Sequence, residues 1–242
     1  MSADPRPPAA ADRGPASPAG PSGAHSWEWQ THGYGMLHVR LELILGEILA
    51  RRPRSLLELG CGVGVLRAEL ARRAPQVRYY GCDVSRSAVA LAADPDVVQA
   101  DLNAGPVPFD SLRFDCIAGS GILEYIRDLP ALFREVRGRL EEGGAFVLSY
   151  FNMNHLYRRA QRLARKTPYR NPGWVNAFGY GELRGLLREA GFRVRHEIPT
   201  NLGLGPSPSI GRERWRASTL RRVRRLPFVP LFAHQLVFAC TA

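Results

Sequence analysis

The sequence predicts an α/β fold: seven strands in a mostly parallel sheet, helices on both faces, and an antiparallel strand at the edge. Three observations predict it. Short apolar runs alternate with amphipathic stretches of helical period along residues 36–198. Strands that alternate with helices are joined by crossovers, which place a parallel sheet between two helical layers. The last two apolar runs, at 192–198 and 235–240, have no clear covering helix between them, which suits antiparallel pairing at an edge.

The elements follow in order. Apolar residues recur at helical spacing over 36–49, and Pro53 ends that helix. Residues 55–59 form the first strand and run straight into Gly60-Cys61-Gly62-Val63-Gly64. Leu66, Leu70 and Ala71 mark a helix that stops at Pro75, and 77–82 is the second strand, closed by Asp83. Ser85 is placed to cap a short helix reaching Ala92. Residues 97–100, closed by Asp101, and 114–118 are the third and fourth strands. An amphipathic helix over 129–140 is expected to stop at Gly143-Gly144, and the fifth strand to begin at Ala145 and end at Ser149. A helix over 181–190, closed by Gly191, precedes the sixth strand at 192–198, and 235–240 is the seventh. There is no internal repeat.

Residues 1–25 are rich in Pro, Ala, Gly and Ser without apolar periodicity, so they read as a disordered tail ahead of one domain over 26–242. No apolar run is long enough to cross a bilayer, and the first residues lack a secretory pattern. Cys61, Cys82, Cys116 and Cys240 are far apart and show no metal-ligand spacing, so the expectation is buried, reduced thiols, no metal and a cytoplasmic protein. The net charge of +11 is unevenly placed: residues 26–155 carry −2, whereas 156–242 carry +13, nearly all of it arginine.

The glycine cluster is the first site signal. Glycines between a strand and a helix let the backbone turn sharply and approach a ligand, beside the free N–H groups of the helix start. The spacing is G-x-G-x-G rather than the G-x-G-x-x-G of dinucleotide sites, and Glu58 precedes it. A carboxylate there repels a pyrophosphate and suits a ligand bearing an amino group. Asp83 and Asp101 end the next two strands, at the carboxyl edge where such sheets bind ligands.

The run Leu57-Glu58-Leu59-Gly60-Cys61-Gly62-Val63-Gly64 resembles motif I of the class I S-adenosylmethionine-dependent methyltransferases. The resemblance extends over residues 54–198 and the final strand. It implies a Rossmann-like three-layer sandwich and S-adenosyl-L-methionine as cofactor. It implies that Glu58, Gly60, Cys61, Gly62 and Gly64 wrap the methionine end, and that Asp83 accepts from the ribose hydroxyls. Asp101 would accept from the adenine amine, and Val84 and Leu102 would sandwich the ring. Phe114 to Tyr125 resembles the family's fourth-strand motif, which would put Ser120 and Gly121 beneath the sulfonium. Tyr125 stands where many small-molecule members have histidine. The strand lacks the N/D-P-P-Y/F signature of base-amine and glutamine enzymes, and no cysteine sits in the context used for cytosine-C5 attack.

Methyl transfer needs a base only where the acceptor loses a proton. Glu124, Tyr125 and His155 are the candidates, with Tyr150 and Tyr157 behind them. Arg-rich insertions near 156–172 and 201–230 fall where acceptor caps lie in this family. They suit an anionic partner or solvated helix faces; Trp215, Leu220, Val223 and Leu226 can give the second an apolar side, as an amphipathic lid or membrane-surface helix. The leading expectation is methyl transfer to an oxygen or nitrogen of a small-molecule acceptor, an anionic one included; the alternatives are an RNA methyltransferase using the arginines and a cofactor-binding partner without catalysis.

Overall fold

A computed structural model describes residues 38–166, 173–204, 217–224 and 228–242. The expected tail, and Arg170, Arg212, Arg214, Trp215, Arg216, Arg225 and Leu226 of the Arg-rich insertions, lie outside the described residues.

Helix α1 (Val39–Arg51) leads into β1 (Ser55–Leu59), α2 (Val65–Arg73), β2 (Arg78–Asp83), α3 (Arg86–Ala92) and β3 (Val97–Gln99). Then come β4 (Phe114–Ser120), a 3-10 turn (Leu123–Tyr125), α4 (Leu129–Arg139), β5 (Leu140–Phe151), α5 (Leu156–Leu163) and α6 (Tyr180–Glu189). The chain finishes with β6 (Arg193–Leu202), α7 (Ala217–Val223), α8 (Val229–Phe232) and β7 (Ala233–Thr241). The sheet order is β3-β2-β1-β4-β5-β7-β6. Strands β1 to β5 pair in parallel, and β7 is antiparallel to both neighbours. The antiparallel pair therefore stands at the edge, with β6 outermost and β7 one place in.

Strand alternation feeds two cores. Leu57, Ile117 and Phe146 face α4 and α6, packing with Phe133, Val136, Leu183 and Leu187. Leu56, Cys116 and Val147 face α1, α2 and α7, packing with Ile44, Ile48, Leu66 and Leu220. Burial on both faces explains why these strands read as nearly continuous apolar runs. Ser85 caps α3 as expected, its side chain accepting from the Ala88 N–H.

The boundaries that differ most from the sequence expectation have physical causes. Helix α4 ends at Arg139, not at Gly143-Gly144, because Leu140 already pairs with Phe114 as part of β5. The two glycines lie inside that strand, where the pairing register shifts and Gly143 adopts φ +75. Arg113 bonds the Gly138 and Leu140 carbonyls, satisfying oxygens that an α-helix end leaves open. Strand β6 runs past Pro199, which an edge strand tolerates because it lacks only an outward N–H. Between the last two strands, α7 covers β6 and α1, so Leu220 is fully buried core rather than part of a free apolar face.

The second arginine cluster is partly committed to this packing. Arg221 on α7 ion-pairs with Glu47 on α1 and also donates to the Leu43 carbonyl. Glu47 is 2% exposed and binds Arg51 and His196 as well.

Candidate active site

The chain runs outward from β1 to β2 and β3, then crosses back to β4 on the other side of β1. That reversal leaves a crevice at the carboxyl ends of β1 and β4, where open α/β sheets hold ligands. The glycine loop rises from one wall and Ser120-Gly121 from the other. Gly60, Gly62 and Gly64 all take positive φ, at +70, +54 and +80, which side-chain-bearing residues adopt at a cost. The loop is tied to the end of β2: Gly60 and Cys61 N–H groups share the Cys82 carbonyl, and Gly62 N–H donates to Asp83 Oδ2 at 2.8 Å.

Glu58 lies buried at the root of this loop. Tyr79 Oη donates to its Oε2 at 2.6 Å. Burial pushes the Glu58 carboxyl up to about 8, opposed by the Tyr79 hydrogen bond. Burial thus favours the neutral carboxyl, and a cationic amine brought beside it would favour the ionised form. Cys61 is buried too, its thiol pushed far up by burial and by the Glu58 and Asp83 charges. Burial likewise pushes Cys82, Cys116 and Cys240 up to about 12. All four are unpaired and buried. We predict that native protein at pH 7 resists an excess thiol reagent that labels the unfolded chain fully, and rapid labelling of Cys61 would refute this.

Asp83 is nearly buried, and burial raises its carboxyl above the usual value. Its Oδ1 accepts from Ser85 N–H at 2.9 Å while Oδ2 holds the loop. Each carboxylate oxygen keeps a second lone pair for a hydroxyl. Asp101 is half-buried, with Oδ1 accepting from Asn103 N–H. Asn103 in turn bonds the Tyr125 carbonyl and the Arg127 N–H, fastening the loop after β3 to the segment after β4. Val84 is 38% exposed, and half-buried Leu102 packs on the α4-side core. A cavity of about 280 Å³ borders Leu102, Asn103, Arg127 and Asp128.

At the other wall, Gly121 has φ +67 and donates its N–H to buried Ser149 Oγ. Ser120 Oγ is buried with no hydrogen-bond partner among the described residues. Ile122 lies over Gly60, where an added Cβ would meet its Cδ1 at 3.2 Å. The Arg40 guanidinium stands against Gly121, at 3.1 Å from where a Cβ would sit. The glycine cradle, the unpartnered Ser120 hydroxyl and the two carboxyls with spare acceptor capacity fit a ligand carrying an amine, a ribose and an adenine. Among the described residues no group of His, Cys, Asp and Glu is arranged to hold a metal.

The base candidates separate sharply. His155 is fully buried: its Nδ1 accepts from Tyr157 N–H, its Nε2 binds the Gly203 and Phe232 carbonyls, and its ring stacks on His234. Burial lowers its pKa, and it caps α5 as a neutral structural residue. Tyr150 is buried against Phe238, and half-buried Tyr157 supplies only its N–H to that cap. Tyr125 is half-buried on the 3-10 turn. Glu124 is 1% exposed, with Oε1 accepting from Phe151 N–H and Oε2 unpartnered among the described residues. Its carboxyl is raised by burial, against the Phe151 bond and the charges of Arg40 and Arg158.

Sequence reasoning missed Arg40, Phe151, Arg158 and Trp174. Phe151 ends β5, packs on Trp174 at 4.8 Å between ring centres, and carries the Arg158 guanidinium over its face. Arg158 belongs to the first arginine cluster, where charge alone did not distinguish it; on α5 it is buried, while Arg159, Arg162, Arg165 and Lys166 are exposed.

Residues 29–197 match the model of a family described as a methyltransferase domain. An uncharacterised protein of Mycobacterium tuberculosis is 32% identical over 63% of this chain and 53% of its own length. A trans-aconitate 2-methyltransferase of Deinococcus radiodurans is 29% identical over 43% of this chain and 41% of its own. This chain thus spans about half the length of the first curated relatives it matches. The crystal structure of a SAM-dependent methyltransferase from Archaeoglobus fulgidus aligns over 84% of this chain and 94% of its own, with TM-score 0.57 and 17% identity, a likeness of fold. With the family model covering well over half of the sequence, the chain belongs to the methyltransferase domain family, and solved SAM-dependent methyltransferases share its fold.

Proposed function

We propose that this protein transfers a methyl group from S-adenosyl-L-methionine to an oxygen or nitrogen of a small-molecule acceptor. The observation that carries the acceptor class lies in the segments after β4 and β5: Glu124 and Arg158 are buried there, and Phe151 and Trp174 are half-buried and packed on each other. A compact aromatic and charged wall suits a metabolite better than a polymer. A trans-aconitate 2-methyltransferase and a ubiquinone biosynthesis O-methyltransferase among the relatives support a small acceptor. No helix among the described residues is long and apolar enough to cross a membrane.

When bound, the cofactor supplies an already activated methyl group, so the protein's contribution is mainly positioning. Glu58 and Arg40 would take the amine and carboxylate of its methionine end. Asp83 would hold the ribose and Asp101 the adenine amine, with Val84 and Leu102 on the ring faces. Ser120 and Gly121 would line the space beneath the sulfonium. In the transfer the acceptor atom bonds the methyl carbon as the carbon–sulfur bond breaks, and the electron pair stays on sulfur. A proton lost by the acceptor passes to a base or to water.

The test is radiolabelled cofactor offered with a metabolite panel and, separately, total RNA. Label is expected in the small-molecule fraction. The exposed basic residues of α5 motivate RNA as the second reading. Label in RNA, together with binding that weakens steeply as salt rises, would replace the first reading by the second. Cofactor binding without turnover on either would leave a non-catalytic partner.

A further inference from the structure

We infer that the acceptor carries a carboxylate, held by Arg158, and presents its reactive hydroxyl or amine to Glu124 Oε2; this rests on the methyltransferase reading above. Arg158 is 5% exposed. Its Nη1 donates to the Met153 thioether at 2.9 Å, a weak acceptor for a charged group, and its guanidinium lies 5.7 Å from the Phe151 ring centre. A guanidinium has five N–H donors, and taking its charge out of water is costly unless it is matched.

Glu124 has the complementary deficit. Its Oε1 is bound to the Phe151 N–H, while Oε2 is buried with no partner among the described residues. The two groups act on each other electrostatically, and both touch Phe151, one at its backbone and one at its ring. They are fixed from different elements. Glu124 is held on the 3-10 turn by its own carbonyl, which accepts from the Val175 and Asn176 N–H groups. Arg158 is held on α5, whose start is capped by buried His155.

A ligand with an anion at one end and a donor at the other completes both groups. The guanidinium fork matches a carboxylate, and a carboxylate oxygen matches O–H or N–H. Phe151 links the two groups and packs on Trp174. For a hydroxyl acceptor, oxygen bonds the methyl carbon, the carbon–sulfur bond breaks with its electrons on sulfur, and the hydroxyl proton goes to Glu124. Burial raises the Glu124 carboxyl, which suits a group that takes up a proton, and the charges of Arg40 and Arg158 oppose that rise by favouring its ionised form.

The experiment measures binding of salicylate, 4-hydroxybenzoate, caffeate and mandelate, each against its own carboxamide, with S-adenosylhomocysteine present. At least one acid is expected to bind about tenfold or more better than its carboxamide, and Arg158→Gln should erase that preference while Arg158→Lys keeps part of it. Glu124→Gln should lower turnover of the preferred acid about a hundredfold and remove the acid limb of its pH profile, with KM little changed. Thermal melting and S-adenosylhomocysteine affinity of each variant show whether the fold and the cradle survive. No acid preferred over its carboxamide, or a preference intact in folded Arg158→Gln protein, overturns the inference. Turnover on neutral acceptors in that case would leave the methyltransferase reading standing; absence of cofactor binding by the wild type would remove the reading itself.

Discussion

Asp83→Ala is expected to weaken S-adenosylmethionine binding by about a hundredfold or more, measured by calorimetry. Hydrogen bonds to an ionised acceptor contribute about 1.5–3 kcal/mol each, and two ribose hydroxyls would lose theirs together. The substitution also frees the Gly62 and Ser85 N–H groups that Asp83 holds. Part of the loss then comes from a loosened loop, and the melting temperature should drop a few degrees. Asp83→Asn separates the two contributions: its remaining oxygen can still accept from Gly62, while the charge and one acceptor are gone. Its affinity should fall between wild type and Asp83→Ala. Unchanged affinity in a folded Asp83→Ala protein would remove Asp83 from the site.

Glu47→Ala is expected to lower stability by about 2–3 kcal/mol, below the cost of breaking a fully buried pair because its partners are partly exposed. For a domain of this size that is about 5–10 °C in melting temperature. One carboxylate ties α1 to β6 through His196 and to α7 through Arg221. Burial pushes the Glu47 carboxyl up, but hydrogen bonds from His196 and Arg51 outweigh it and leave it below the ordinary value. A lowered folded-state pKa stabilises at pH above the unfolded value, and that contribution disappears as pH falls through the folded one. The gap between wild type and variant should therefore stay open from pH 7 to about 5 and narrow below it. A difference under about 1 °C at pH 7, where a few degrees per kcal/mol are expected, would show that the network contributes nothing.

The central strands and the cradle were legible because their signals are local. A five-residue apolar strand, glycines at the turn and an acid at each following strand end are all readable in order along the chain. The boundaries missed were those set by distant partners. Leu140 leaves its helix because Phe114 waits beside it, and β6 continues past Pro199 because β7 pairs with it. The acceptor wall was hidden for the same reason. Arg158 looks like any other residue of a basic run until α5 turns it inward, and Glu124 and Phe151 meet across 27 positions of sequence. His155, attractive as a lone histidine after a strand, proved to spend both ring nitrogens on backbone groups.

The position of β7 has a consequence for assembly on the ribosome. Synthesis proceeds from the N-terminal side, so β6 emerges before the strand that must separate it from β5. Until residues 233–241 are out, β5 has an open edge, and β6 has no neighbour with which to pair. The nascent chain thus carries an open sheet edge and an unpaired strand at once, a state prone to mispairing and to recruitment by chaperones. The glycine loop and the acids after β2 and β3 come from the earlier strands and can close first, so part of the nucleoside cradle would precede completion of the sheet.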